Sequence, residues 1–359
     1  MTLPPGAPPP PGSAELEGPG PWGHPGQWGP PLPGDEQLVA SMPPATRPTL
    51  PIVPTDYLRF FRSPRFAWWK PLLAVVGAAV LWLAVTMVLT FAGIFLDGFE
   101  NVYPEPGSFV MRPWTFLMNN LSLAACIPIA WLFALAVFGQ RPGWLASVAG
   151  RFRWGWFARV LVIALPIWAV LIGVSFALSP SELGWRDTTA FMIAAIVLTT
   201  PLQAAGEEYL VRGLLARSVG SWFADERLAL GVAALVGATV FMLLHGAGDP
   251  WLNVYYFIFG AVSAWLVWRT GGLEASVAIH IVNNMVAMVP LPFGDLASAF
   301  DRTAGAGSPF LLVNAAVLVG AALLFDLLAR RAALENRTAP GRLELERARS
   351  LLTRGFFAA

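Results

Sequence analysis

Residues 71–96 read PLLAVVGAAVLWLAVTMVLTFAGIFL, an apolar run without a single Asp, Glu, Lys or Arg. A helix needs about 20 apolar residues to cross a hydrocarbon core of ~30 Å, so this run is long enough to span a membrane. Runs of similar character follow at about 113–138, 157–178, 189–207, 228–245, 251–268, 273–290 and 309–329. The predicted fold is therefore all-α, a polytopic membrane bundle of about eight transmembrane helices. Composition agrees: hydrophobic types make up 56% of the 359 residues and charged types 13%, too few to coat a water-soluble surface of this size. Trp occurs 16 times and Phe 24 times, whereas Lys occurs once, at Lys70. One cysteine, Cys126, excludes an intrachain disulfide framework and any paired-cysteine metal site.

Outside the spans the chain changes character. Residues 1–54 hold 17 of the 32 prolines and 8 of the 34 glycines, a composition that reads as a disordered, Pro/Gly-rich cytoplasmic tail containing His24. Residues 55–188 carry the first transmembrane helices, 189–292 a polar-decorated core, 293–329 the last span and 330–359 a basic tail. With eight spans and a cytoplasmic N-terminus, 20 of the 23 Lys and Arg residues fall on the cytoplasmic side, leaving Arg112, Arg186 and Arg302 outside. This is the asymmetry expected of a multi-pass protein of the cell membrane with both termini cytoplasmic. The basic C-terminal tail reads either as an amphipathic segment beside anionic headgroups or as a solvated helix. A net charge of +1 gives no reason to expect nucleic acid as a partner.

Ionisable side chains inside hydrocarbon cost about 2.5–3.5 kcal/mol on insertion scales, so each one present needs a reason. Among those that the predicted spans and their edges hold are Glu207, Glu208 and Arg212 around the end of span four, His245 after Phe241 in span five, and His280, beside the polar Asn283 and Asn284, in span seven. Glu208 and Arg212 are four apart and fit a neighbouring ion pair on one helix face. Glu207 lies about 100° around the helix from Glu208 and is free to face another helix. His280 and Asn284 project together, with Asn283 less well placed, and Phe241 sits one turn before His245.

One carboxylate, two imidazoles and a carboxamide arriving from three helices form a set able to hydrolyse a peptide bond. The carboxylate can act as general base on water, and an imidazole with an amide can donate hydrogen bonds to the oxyanion that forms. Glu207, His245 and His280 also suit a zinc ion with water as fourth ligand. Any one such residue is equally at home as a helix–helix hydrogen-bond partner, and the set as a whole also admits a structural or transport role.

At these residues the chain resembles the CAAX protease and bacteriocin-processing (CPBP, or Abi) family of intramembrane proteases, and is similar to its type 2 CAAX prenyl protease group. The family's motif EExxxR matches Glu207, Glu208 and Arg212, FxxxH matches Phe241 and His245, and HxxxN matches His280 and Asn284. The resemblance covers roughly residues 189–292. It implies an intramembrane endopeptidase acting on a membrane-associated peptide or protein in the lipid bilayer. Glu207 is the implied water-activating residue with His245 beside it, His280 and Asn284 the oxyanion stabilisers, and Glu208 and Arg212 a supporting ion pair. No cofactor is the reading preferred here, with zinc held by Glu207, His245 and His280 as the alternative. A non-catalytic membrane binder or immunity-type scaffold is the competing function.

The predicted span limits place Glu207 near one face of the membrane and His245 near the other. Joint action then requires span four to continue past Arg217, or Gly246–Pro250 to fold back into the protein, and both adjustments are expected. Pro201 is a candidate kink in span four.

Overall fold

The computed structural model describes residues 34–106, 108–178, 183–294, 296 and 300–353. His24 and most of the Pro/Gly-rich tail lie outside them. Helix α1 (Asp35–Ser41) is followed by α2 (Lys70–Asp97), α3 (Pro113–Ala124) and α4 (Cys126–Phe138), the last two separated only by Ala125. Then come α5 (Trp154–Leu178), α6 (Thr189–Gly220), α7 (Glu226–Leu244), α8 (Pro250–Thr270), α9 (Glu274–Ala287), α10 (Leu311–Arg331) and α11 (Gly341–Thr353). Among the described residues, seven spans are long and apolar enough to cross a membrane: α2, α3 with α4, α5, α6, α7, α8 and α10. The chain is a multi-pass, all-helical membrane protein.

The seventh predicted span, 273–290, is corrected by the structure. Helix α9 has only 14 residues, about 21 Å of rise, and turns complete the segment. Its two ends still lie at opposite ends of the bundle. Gly272 bridges to Ser147 before α9, and Phe293 accepts a hydrogen bond from the Gly184 amide after it. A short helix suffices because Glu274 to His280 are all buried in protein, where non-helical backbone can find partners that lipid would deny it.

Burial separates a lipid-facing helix from an axial one. In the most apolar stretch of α2 only 11% of residues are buried, against 50% in α6, which runs for 32 residues. Within α6, residues Tyr209–Ala216 adopt the wider π-helical winding, a feature that collects at functional sites. Close approach of neighbours depends on small residues, as is general for helices in lipid. A Cβ on Gly260 of α8 would lie 2.6 Å from the Cα of Ala238 in α7. Aspartates fasten the helix starts. Asp225 caps α7, Asp249 caps α8 ahead of Pro250, and Asp97 at the end of α2 accepts the Trp114 and Thr115 amides that begin α3.

The terminal segments depart from the expected free tails. Strand β1 (Thr55–Asp56) pairs antiparallel with β2 (Arg337–Thr338), which brings the two flanks of the membrane region to one end of the bundle. Helix α11 lies on the same assembly: Thr49 N donates to Glu344, Gly341 N to the Pro51 carbonyl, and Arg349 pairs with Asp35 at 2.7 Å. Residues 34–54 are therefore structured where disorder was expected. The partner surface that orders them is about 290 residues away in the chain, beyond the reach of local composition. Beneath the clasp, Tyr57, Leu58, Phe60 and Phe61 are fully buried, and the Arg217 guanidinium stacks 3.7 Å from the Tyr57 ring centre.

Candidate active site

Helix α6 carries Glu207 close to its midpoint, so the expected continuation past Arg217 is what the structure has. Pro201 is accommodated within the helix. Gly206 is what lets this stretch sit so deep: its position faces the backbone of α3, and a Cβ there would come within 1.9 Å of the Leu123 carbonyl oxygen. The two glutamates that follow have different surroundings. Glu208 is fully buried, and its carboxylate accepts from Arg212 at 2.9 Å, from His280 Nδ1 at 2.8 Å and from the Ser276 hydroxyl. Three donors, one of them a cation, satisfy a charge that burial alone would make very costly. The Arg212 guanidinium in turn lies 4.4 Å from the centre of the Phe241 ring.

Glu207 turns toward His280 of α9. Its Oε1 accepts from Gln203 Nε2 at 2.5 Å, while Oε2 is buried without a hydrogen-bond partner among the described residues. His280 Nε2 stands 3.5 Å from that second oxygen. Because Nδ1 of the same ring is engaged by Glu208, the imidazole is held with Nε2 turned toward Glu207. Helix α9 thus places one ring between two carboxylates. One turn further on, Asn284 donates to Gln203 Oε1 at 3.0 Å. Asn283 points elsewhere: its side-chain oxygen accepts from Tyr255 OH at 2.8 Å and from Trp168 Nε1 at 3.1 Å.

His245 enters from the end of α7. Its Nδ1 lies 2.8 Å from the Phe241 carbonyl, and its ring packs between the Phe241 ring at 4.5 Å and the Tyr256 ring at 3.9 Å. Phe241 also meets the His280 ring edge-on at 5.7 Å, so one aromatic side chain contacts both imidazoles. His280, and not His245, makes the direct approach to Glu207. The second expected adjustment does not occur: of Gly246–Pro250 only Asp249 is buried, and the turn stays at the bundle's end, where Gly248 N bonds the Arg302 carbonyl.

All seven residues singled out by the three motifs are gathered in one cluster, joined directly or through Gln203, and comparison with known proteins bears on the same stretch. Residues 185–286 match the type II CAAX prenyl endopeptidase Rce1-like family. This segment is similar to that family. YyaK of Bacillus subtilis (strain 168), described as an uncharacterized protein, is 26% identical over 147 residues, covering 37% of this chain and 48% of that one. The chain therefore spans about half the length of the curated relative it matches. No solved structure matches it.

Among the described residues no three His, Cys, Asp or Glu side chains stand where they could share one metal ion. Four further residues belong to the site and escaped the sequence reading. Gln203 and Ser276 each lie four residues from a motif member, so helical spacing was signal enough for both. Tyr256 on the His245 ring and Arg302, which donates to the His245 carbonyl at 2.6 Å, are brought in by tertiary packing.

Proposed function

We propose that this protein is an intramembrane endopeptidase that hydrolyses a peptide bond of a membrane-associated peptide or protein, with Glu207 as the base that activates water. The observation that carries the reading is the disposition of Glu207: one carboxylate oxygen bound by Gln203, the other unpartnered, buried and 3.5 Å from an imidazole nitrogen. A water at Oε2 gives up its proton there as its oxygen bonds to the carbonyl carbon. His280 and the remaining N–H of Asn284 donate to the oxyanion. When the C–N bond breaks, the proton held by Glu207 passes to the leaving amine. Glu208 and Arg212 support His280 from below. His245, wedged between Phe241 and Tyr256, supplies a second imidazole. In this reading the carboxylate alone activates the water, and no step is assigned to a metal.

The relative's description names no reaction, so the substrate class comes from the family name alone: a peptide near a prenylated C-terminus, or in a bacterial setting a membrane-bound precursor peptide. Placement in the cell membrane with both termini cytoplasmic is part of the same reading. It is supported by the β1–β2 pairing at one end of the bundle together with the arginine distribution. Comparing membrane and secreted peptides from cells carrying the native chain or Glu207→Gln tests it: a precursor should accumulate in the variant, and identical peptide profiles would contradict the proposal.

A further inference from the structure

Hydrogen bonds through the site all point one way. Trp168 Nε1 and Tyr255 OH donate to the Asn283 oxygen, at 3.1 and 2.8 Å. Asn283 Nδ2 donates to the Asn284 oxygen at 3.1 Å, Asn284 Nδ2 to Gln203 Oε1 at 3.0 Å, and Gln203 Nε2 to Glu207 Oε1 at 2.5 Å. Three amides in series, each accepting at its oxygen and donating from its nitrogen, end on one carboxylate oxygen. The Trp168 indole at the far end can only donate and so leaves one orientation for every amide, because a flipped carboxamide would set nitrogen against a donor. Such a chain polarises along its length and holds its last member more firmly than one isolated bond does.

From this geometry we infer that Gln203 is the positioning residue for Glu207. By taking Oε1 it fixes Oε2 as the oxygen turned to water and His280, and it locks the orientation of Asn284 to that of the base. Gln203 is 5% exposed and sits one turn before Glu207 on the same helix, so no other residue of α6 can replace this contact. The inference rests on the reading of Glu207 as the base. It goes beyond that reading in naming the residue that aims Glu207 and the oxygen that does the work.

The test uses the full-length chain purified in detergent, with two readouts. The first needs no turnover: the Glu207 carboxyl band is isolated as the infrared difference between the native protein and Glu207→Gln, then followed in Gln203→Met, which keeps side-chain length but cannot donate. A shift of that band is expected, and an unchanged band overturns the inference. Should Gln203→Met fail to accumulate, Gln203→Glu keeps the shape of the amide and removes the obligatory donor, with the same expected shift and the same contrary result. The second readout is cleavage of an internally quenched peptide ending in a prenylated cysteine tripeptide. Here kcat should fall about tenfold or more with KM little changed, as for an interaction that matters after binding; equal kcat overturns the inference. The two levels separate cleanly. Cleavage that survives Glu207→Gln removes the proposed chemistry, whereas cleavage lost in Glu207→Gln with an unmoved band in Gln203→Met leaves the chemistry standing and removes the role of Gln203.

Discussion

Gly206 and Leu123 touch backbone to backbone: a Cβ added to Gly206 would lie 1.9 Å from the Leu123 carbonyl oxygen. The contact docks α6 on the α3–α4 junction immediately before Glu207, so the smallest possible substitution must push the base away from its neighbours. Gly206→Ala is expected to lower stability by about 1–3 kcal/mol, as overpacking does, and to reduce activity more than that loss of folded protein explains. Thermal unfolding and cleavage per folded molecule measure the two effects, and native values for both would show that α3 yields.

Glu208 and Arg212 form an ion pair with side-chain exposures of 0% and 1%. Removing one partner strands the other charge in the bundle, a change that costs about 3–5 kcal/mol. Arg212→Ala should therefore unfold at markedly lower temperature than the native chain. The double variant Arg212→Ala with Glu208→Gln should recover part of the loss, because the orphaned charge is gone. If the double variant is no better than the single one, the pair is not an electrostatic unit.

Chelation gives a separate check on the donor set. On the metal-free reading, prolonged treatment with a strong chelator is expected to leave cleavage of the quenched peptide within about twofold of its starting rate, less than the tenfold that 1.4 kcal/mol would represent. Stoichiometric zinc in the purified protein, lost together with activity and restored with it, would contradict this.

The β1–β2 clasp has a topological consequence. Reporters fused at either end of the chain should report the same compartment, which the proposed orientation makes the cytoplasm. Green fluorescence from both fusions and no activity from alkaline phosphatase at either end is the expected pattern. Phosphatase activity at one end alone would mean an odd number of crossings.

Much of this architecture was legible because lipid imposes a length: apolar runs of about 20 residues announce themselves without tertiary information. The motif residues were legible for a similar reason, since a charge in hydrocarbon has to be explained and spacings of four map onto one helix face. What escaped has equally physical causes. The run 273–290 has the length of a span, but its helix carries Glu274, His280 and two asparagines, is protected by protein and stops at Ala287. The Pro/Gly-rich stretch before Thr55 looks unable to hold structure by itself, and it is the C-terminal segment that supplies Glu344 and the strand at Arg337. Gln203 carries no charge to draw notice, although it stands four residues from Glu207 exactly as Glu208 stands from Arg212. Tyr256 and Arg302 meet His245 only through packing of α8 and the 300–307 loop, which no spacing within α7 foretells.

The most direct measurement is the single-turnover cleavage rate of Glu207→Gln against the native chain, on the quenched prenylated peptide, with folding of both verified by their unfolding temperatures. The account predicts a loss of at least about 100-fold, the lower range for removing a general base, in a variant that melts close to the native temperature. A folded Glu207→Gln protein cleaving within a few-fold of the native rate would contradict it.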